Sequence, residues 1–154
     1  MFPTWEDWEL HMTSVFPEVR IKKTIEVRGA DCVSHDLAVA FCALFTGLLY
    51  DTQALDEMLE MVEQFSQIGS REERFSIACK DGLQGELDGR KLAHWAEKLV
   101  EIGRDGLARY QSHNTALLDP LILQVASGYS PGHNLIRKWK QNPNAEFIIS
   151  NLSY

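Results

Sequence analysis

The chain has 154 residues, of which 45% are hydrophobic and 24% are charged, and this composition is typical of one globular domain with a substantial core. Its formal net charge of −7 disfavours partners that require a basic surface, so we expect it to bind neither nucleic acid nor membranes. The three cysteines lack CxxC spacing, and residues 1–10 are acidic where a signal peptide would be basic, so we expect reduced thiols and a cytoplasmic location.

The first elements predicted along the chain are a short helix and a strand. Thr4 and Asp7 have the spacing of a capping box, which predicts a helix that runs to about His11. Polar and apolar residues then alternate from Val19 to Arg28, which predicts one long strand. Because a lone strand cannot satisfy its own backbone hydrogen bonds, we expect this strand to pair with strands outside the sequence or with a second copy.

The rest of the sequence predicts helices joined by short connections. The first of them is apolar around nearly its whole circumference, which predicts a central, buried position. Four tryptophans at helical spacings (Trp5, Trp8, Trp95 and Trp139) are expected to be packing residues. The predicted helices are Ser34 to Tyr50, one opened by Asp51 or Thr52, Ser70 to Cys79, Arg90 to Tyr110 after an Asp88 cap, Pro120 to Ser127 after an Asp119 cap and Pro131 to Lys140, with a loop from Lys80 to Gly89.

The predicted strand has one face without any apolar residue. Glu26 and three cations share this face, although the chain as a whole is acidic. Arginine forks bind phosphate oxygens, and Mg²⁺ takes one or two carboxylates together with phosphate oxygens, so the face suits a phosphorylated ligand that arrives with a metal. The alternative is a solvated face with cross-strand ion pairs. By alternation, one face holds Ile21, Lys23, Ile25 and Val27, and the charged face holds Arg20, Lys22, Thr24, Glu26 and Arg28.

The segment FPEVRIKKTIEVRGAD, Phe16 to Asp31, closely resembles the corresponding segment of glutamate–cysteine ligases of the plant and proteobacterial type. The resemblance covers essentially the whole chain but only the carboxy-terminal part of that family's longer enzymes. After Asp31 the chain departs from the Gly-Pro-Trp-Arg-Arg-like stretch that is usual in the family. Weaker matches follow in family order at Gly47 to Asp51, Gly103 to Leu107, Leu118 to Pro120, Ser127-Gly128 and Ser130-Pro131.

This resemblance implies an α+β, mostly helical region, residues 1–154, whose strand belongs to a glutamine-synthetase-like antiparallel sheet. The implied reaction uses ATP and Mg²⁺ to phosphorylate the side chain of glutamate, and cysteine then displaces the phosphate to give γ-glutamylcysteine, the first step of glutathione synthesis. Glu26-Val27-Arg28 falls on a Glu-x-Arg motif, which implies that Glu26 is a metal ligand and Arg28 a catalytic, phosphate-binding arginine. Arg20 and Lys22 are expected to join Arg28 in binding the nucleotide.

The same resemblance implies that the isolated chain is inactive, because the nucleotide and glutamate sites of the family draw on strands that precede the matched part. The missing amino-terminal part, or self-association, is therefore an expected partner. The alternative is a non-catalytic helical interaction or regulatory module derived from the ligase.

Overall fold

The computed structural model describes residues 2–14, 18–21, 23–30 and 33–150, and most of these residues are helical. The chain divides into two compact units, residues 1–33 and 34–154. The elements are α1 (Trp5–Ser14), β1 (Val19–Ile21), β2 (Ile25–Val27), α2 (His35–Tyr50), α3 (Thr52–Ser66), α4 (Arg71–Asp81), β3 (Glu86–Leu87), β4 (Arg90–Lys91), α5 (Leu92–Gln111), α6 (Asp119–Ala126), α7 (Pro131–Gln141) and α8 (Ala145–Ser150), with 3-10 turns at Gly82–Gln84 and Ser112–Leu118.

The first unit contains a β-hairpin in place of the single long strand that the alternation predicts. β1 pairs antiparallel with β2 in the register Val19↔Val27, Arg20↔Glu26 and Ile21↔Ile25. The single-strand prediction is wrong because the alternation resumes in the same phase at Ile25, after the three polar residues 22–24, so the pattern does not reveal that the chain reverses there. The two strands of the hairpin also satisfy part of each other's backbone hydrogen bonding, which removes one argument for a missing strand. Both sheets among the described residues have only two strands.

Helix α1 begins at the capping box that the sequence predicts. The Thr4 backbone N–H donates to Asp7 Oδ2 at 2.7 Å, and the Asp7 backbone N–H donates to Thr4 Oγ1 at 3.2 Å. The backbone hydrogen bond from Thr4 also lowers the pKa of the Asp7 carboxyl. The helix runs to Ser14, three residues beyond the predicted end at His11, and none of its residues is buried.

The second unit is organised around the crossing of α2 and α5, so the prediction of a central α2 is confirmed. The two helices approach so closely that a Cβ on Gly47 would lie 1.9 Å from the carbonyl oxygen of Gly103. A Cβ on Gly106 would lie 2.2 Å from the carbonyl oxygen of Gly47. The motifs of Gly47 and of Gly103 to Leu107 are therefore explained by helix packing. The core around the crossing includes Leu44, Leu48, Ala54, Met61, Trp95, Leu107, Leu118 and Val125.

Several predicted helix caps are confirmed, whereas the cap predicted at Asp119 is not. Ser34, Asp51, Ser70 and Ser130 each cap a helix through the side chain. Asp119 instead lies inside α6, and the cap before it makes no side-chain hydrogen bond.

The segment predicted as a loop from Lys80 to Gly89 holds a small hairpin that we did not predict. Asp88 and Gly89 have φ values of 50° and 72°, which a two-residue hairpin turn of the Asp-Gly kind requires. Asp88 is therefore a turn residue and does not cap α5, which begins at Leu92.

Two further observations concern the tryptophans and possible membrane spans. Trp95 is buried, whereas Trp5, Trp8 and Trp139 are exposed, so the prediction that all four are packing residues is wrong for three of them. Among the described residues, no single helix is long and apolar enough to cross a membrane; the sharply bent pair of α2 and α3 meets the same criteria only when both helices are combined.

Candidate functional site: the charged face of the β1–β2 hairpin

The centre of the candidate site is a cross-strand ion pair. Arg20 and Glu26 are direct partners in the hairpin register, so their side chains lie on the same face. Arg20 donates from Nε at 2.9 Å and from Nη2 at 2.6 Å, both to Oε2 of Glu26. The cross-strand ion pair of the alternative interpretation is therefore present. Because both donors bind one oxygen, the other carboxylate oxygen of Glu26 takes no part in this pair.

Arg28 extends the same face by one further step. Its backbone N–H donates to the carbonyl oxygen of Glu18 at 2.7 Å, which continues the antiparallel pairing beyond the end of β2. Arg28 is two residues from Glu26 and therefore lies on the same side of the strand. Its side chain is half-buried, and the guanidinium Nη1 is shielded from solvent. The structure thus brings Arg20, Glu26 and Arg28 together on one face.

The remaining members of the predicted faces lie at the turn. Lys22, an expected nucleotide-binding residue, is outside the described residues. Lys23 and Thr24 lie between the two strands and are exposed. The prediction that Lys23 lies on the apolar face and Thr24 on the charged face is therefore wrong, because the chain reverses there and neither residue is part of a strand.

The charged face is more shielded than a solvated face would be. The side chains of Arg20 and Glu26 are 26% and 38% exposed. Partial burial weakens solvent screening, so the attraction between Arg20 and Glu26 is stronger than that of a fully exposed ion pair.

A metal at this face would need ligands beyond the described residues. Glu26 offers one hard carboxylate oxygen, which fits Mg²⁺, and the neighbouring arginines fit phosphate. In the part of the chain that the structure describes, no group of three or more histidine, cysteine, aspartate or glutamate side chains is placed to hold a metal ion. Glu26 thus suits a site in which phosphate oxygens and residues from elsewhere complete the coordination.

The second unit has its own polar features, which the sequence did not reveal as neighbours. Arg109 donates from Nε at 3.1 Å and from Nη2 at 2.8 Å to Oδ1 of Asp51, which also accepts the Ala54 backbone N–H at 2.8 Å. Hydrogen bonds from Arg109 and then from Ala54 lower the pKa of the Asp51 carboxyl. No sequence signal links Asp51 with Arg109, which are 58 residues apart. Their ion pair connects the start of α3 with the end of α5.

A small groove of about 240 Å³ lies between α5 and α6. Its floor is apolar, from Val100, Ile122 and Val125, and Glu97, Glu101 and Arg104 also line it. The sequence analysis predicted no site at this place.

Comparison with known proteins identifies the family. The model of glutamate-cysteine ligase family 2 matches residues 4–150. Similar relatives are the chloroplastic glutamate–cysteine ligases of Medicago truncatula (33% identical over 149 residues), Solanum lycopersicum (33% over 153) and Arabidopsis thaliana (31% over 149). These matches cover 94%, 95% and 94% of this chain but only 29%, 28% and 28% of the relatives. The chain therefore spans less than a third of the length of the curated relatives that it matches.

The names of these relatives contradict one prediction. All eight curated relatives found at this level of similarity are named as chloroplastic ligases, so the expected cytoplasmic location is wrong. That expectation came from the acidic residues 1–10, which argue against a secretory signal peptide but do not test for import into a plastid. The resemblance seen at Phe16 to Asp31 is confirmed by the match to residues 4–150, and this chain belongs to glutamate-cysteine ligase family 2.

Proposed function

We propose that this chain is the carboxy-terminal part of an ATP-dependent glutamate–cysteine ligase, which forms γ-glutamylcysteine through a γ-glutamyl phosphate. The observation that carries the proposal is the charged hairpin face, Arg20, Glu26 and Arg28, in a chain that belongs to this ligase family. The hairpin would then be one piece of a larger, glutamine-synthetase-like sheet. Glutamate, cysteine and ATP would be the substrates of the whole enzyme.

The three residues have distinct proposed roles. Arg28, whose Nη1 is shielded from solvent, binds a phosphate oxygen of the nucleotide and stabilises charge on the phosphoryl group during its transfer. Glu26 would contribute one carboxylate oxygen to Mg²⁺, and the bound metal would supply charge neutralisation for the phosphates. Arg20 is a positioning residue, because its two hydrogen bonds to Oε2 fix the orientation of the Glu26 carboxylate. Lys22 is proposed as a further phosphate contact.

The proposal predicts that residues 4–150 can replace the matched segment of a plant relative. The experiment exchanges that segment of the Medicago truncatula ligase and measures γ-glutamylcysteine and ADP, with glutamate, cysteine and ATP omitted in turn. A ligase whose own segment has been excised and restored by the same cloning route is the control. We expect product from the chimera that requires all three substrates.

A folded, soluble chimera without activity, beside an active control, would contradict the proposal. In that case the alternative, a non-catalytic interaction or regulatory module, would be favoured. Circular dichroism and size-exclusion chromatography of both proteins establish that the comparison is made between folded enzymes.

A further inference from the structure

Helix α3 presents a surface to solvent that is both apolar and acidic. Leu59 and Val62, three positions apart, are 50% and 48% exposed. Because residues three apart lie on the same side of a helix, these two side chains form one apolar strip. Glu60 and Glu63 flank the strip on one side and are exposed, and α3 contains four acidic residues and no basic one. We define the α3 face as Leu59, Glu60, Val62 and Glu63.

Helix α7 presents the same arrangement with the opposite charge. Ile136 and Trp139, again three positions apart, are 55% and 47% exposed. Arg137 and Lys140 each follow one of these apolar residues directly, as the two glutamates of the α3 face do, and both are exposed. The helix contains three lysine or arginine residues and no acidic one, although the net charge of the chain is −7. We define the α7 face as Ile136, Arg137, Trp139 and Lys140.

The two faces fit each other when the helices pack antiparallel. On each helix the charged residues lie on the same flank of the apolar strip, because the spacings are identical. An antiparallel pair brings these like-handed flanks together, whereas a parallel pair would place them on opposite sides. With Leu59 opposite Trp139, the cations of the α7 face fall beside the glutamates of the α3 face. The apolar strips then cover each other, and every charge on the two faces meets its opposite.

We propose that the α3 face of one copy of this chain docks antiparallel on the α7 face of a second copy. One contact of this length is smaller than a standard interface, which buries about 1,600 Å² in total, whereas a closed two-fold pair makes the contact twice. The association is therefore reversible and depends on concentration. The self-association that the sequence analysis expected rested on an unpaired strand of the first unit, whereas α3 and α7 both belong to the second unit.

The observations favour a second copy over two other occupants. An anionic membrane would match the basic and aromatic α7 face but would leave the acidic α3 face without a partner. An unrelated acidic protein would do the same. A second copy covers both faces with residues that this chain itself supplies. The apolar strips, with Trp139 as the largest side chain, supply most of the affinity, and the charged flanks select the antiparallel orientation.

The test reverses the charge of each face separately and then combines the two variants. Glu60→Lys with Glu63→Lys makes the α3 face basic, and Arg137→Glu with Lys140→Glu makes the α7 face acidic. Sedimentation velocity across a concentration series measures the association of the whole chain. We expect the parent to associate, and each doubly substituted variant alone to associate about tenfold more weakly or not at all.

An equal mixture of the two variants should associate as well as the parent. In the mixture each reversed face meets a reversed face of opposite charge, and each unchanged face also meets its complement. This recovery shows that both variants are folded, because a misfolded partner could not restore a specific contact. Glu97→Lys with Glu101→Lys is the matched control, because both residues are exposed on α5 and the change in net charge is the same. The control should associate like the parent.

Three results would overturn the proposal: a parent that stays monomeric at every concentration, reversed variants that associate as well as the parent, or a mixture that does not recover. A further arm measures co-sedimentation of the parent and of the Arg137→Glu, Lys140→Glu variant with vesicles of anionic phospholipid. A monomeric parent that binds these vesicles through the α7 face would assign that face to a membrane surface and would overturn our choice of a second copy. Raised salt should weaken the association of the parent, because the charged flanks are exposed to solvent.

Discussion

Replacement of Gly47 by alanine tests whether the α2–α5 crossing holds the second unit together. The new Cβ would lie 1.9 Å from the Gly103 carbonyl oxygen and 2.9 Å from the Leu107 backbone nitrogen, and neither atom can rotate away. Relief requires the helices to separate by about 1.5 Å, which weakens the dispersion contacts of the surrounding core. Overpacking of this severity costs about 3 to 4 kcal/mol, and the better helix propensity of alanine returns about 1 kcal/mol.

We therefore expect Gly47→Ala to lower the free energy of unfolding by about 2 to 3 kcal/mol, and Tm by about 5 to 10 °C. Urea and thermal unfolding followed by circular dichroism measure both quantities. Gly132→Ala is the matched control, because Gly132 is also helical but a Cβ there would meet its nearest atom at 3.7 Å. The control is expected to be neutral or slightly stabilised. A Gly47→Ala variant within about 0.5 kcal/mol of the parent would refute the close crossing.

Two other outcomes follow from the structure and the proposed function. The pKa of Asp51 is lowered in the folded state, so its carboxylate stabilises the fold above the unfolded pKa, near 3.8, and this contribution disappears as the pH falls below that value. Asp51→Asn should therefore have a lower Tm than the parent at pH 7, and the difference should shrink in a melting series from pH 5 to pH 2; a constant difference would argue against the Arg109 ion pair. The isolated chain should form no γ-glutamylcysteine, and ATP- and cysteine-dependent product above that of a Glu26→Ala control would be the contrary result.

The helical body could be predicted because its signals are local. Capping side chains at Ser34, Ser70 and Ser130 and long apolar periodicities specify where helices begin and which faces are buried. The hairpin at residues 19–27 could not be predicted in the same way, because residues 22–24 (Lys-Lys-Thr) contain none of the residues that mark tight turns. The Asp88-Gly89 turn does carry such a signal, and its two-residue strands are too short to show a period of two.

The predicted grouping of Arg20, Glu26 and Arg28 on one face is correct although the single-strand prediction is wrong, and the reason is geometric. In the observed register each residue pairs with one of the same parity, as Arg20 does with Glu26. Because three residues separate Ile21 from its partner Ile25, residues that alternate onto one face of a single strand also share one face of the hairpin, which keeps Arg20, Glu26 and Arg28 together; a loop with an even number of residues would have separated them. The exposure of Val19, Ile21 and Ile25 on the apolar face could not be predicted, because alternation distinguishes the two faces without showing which of them is covered.

The most direct measurement for the charged hairpin face is the Mg²⁺ dependence of turnover in the chimeric ligase. Glu26→Gln removes the anionic oxygen and should lower turnover by about two to three powers of ten while raising the Mg²⁺ concentration that is required. Arg28→Lys keeps the positive charge but loses the planar guanidinium group, so its turnover should remain below that of the parent chimera. Lys23→Gln is the matched control at the exposed turn and should resemble the parent. A Lys23→Gln variant as damaged as Glu26→Gln, or three variants with parental turnover, would contradict a role of this face in binding metal and phosphate.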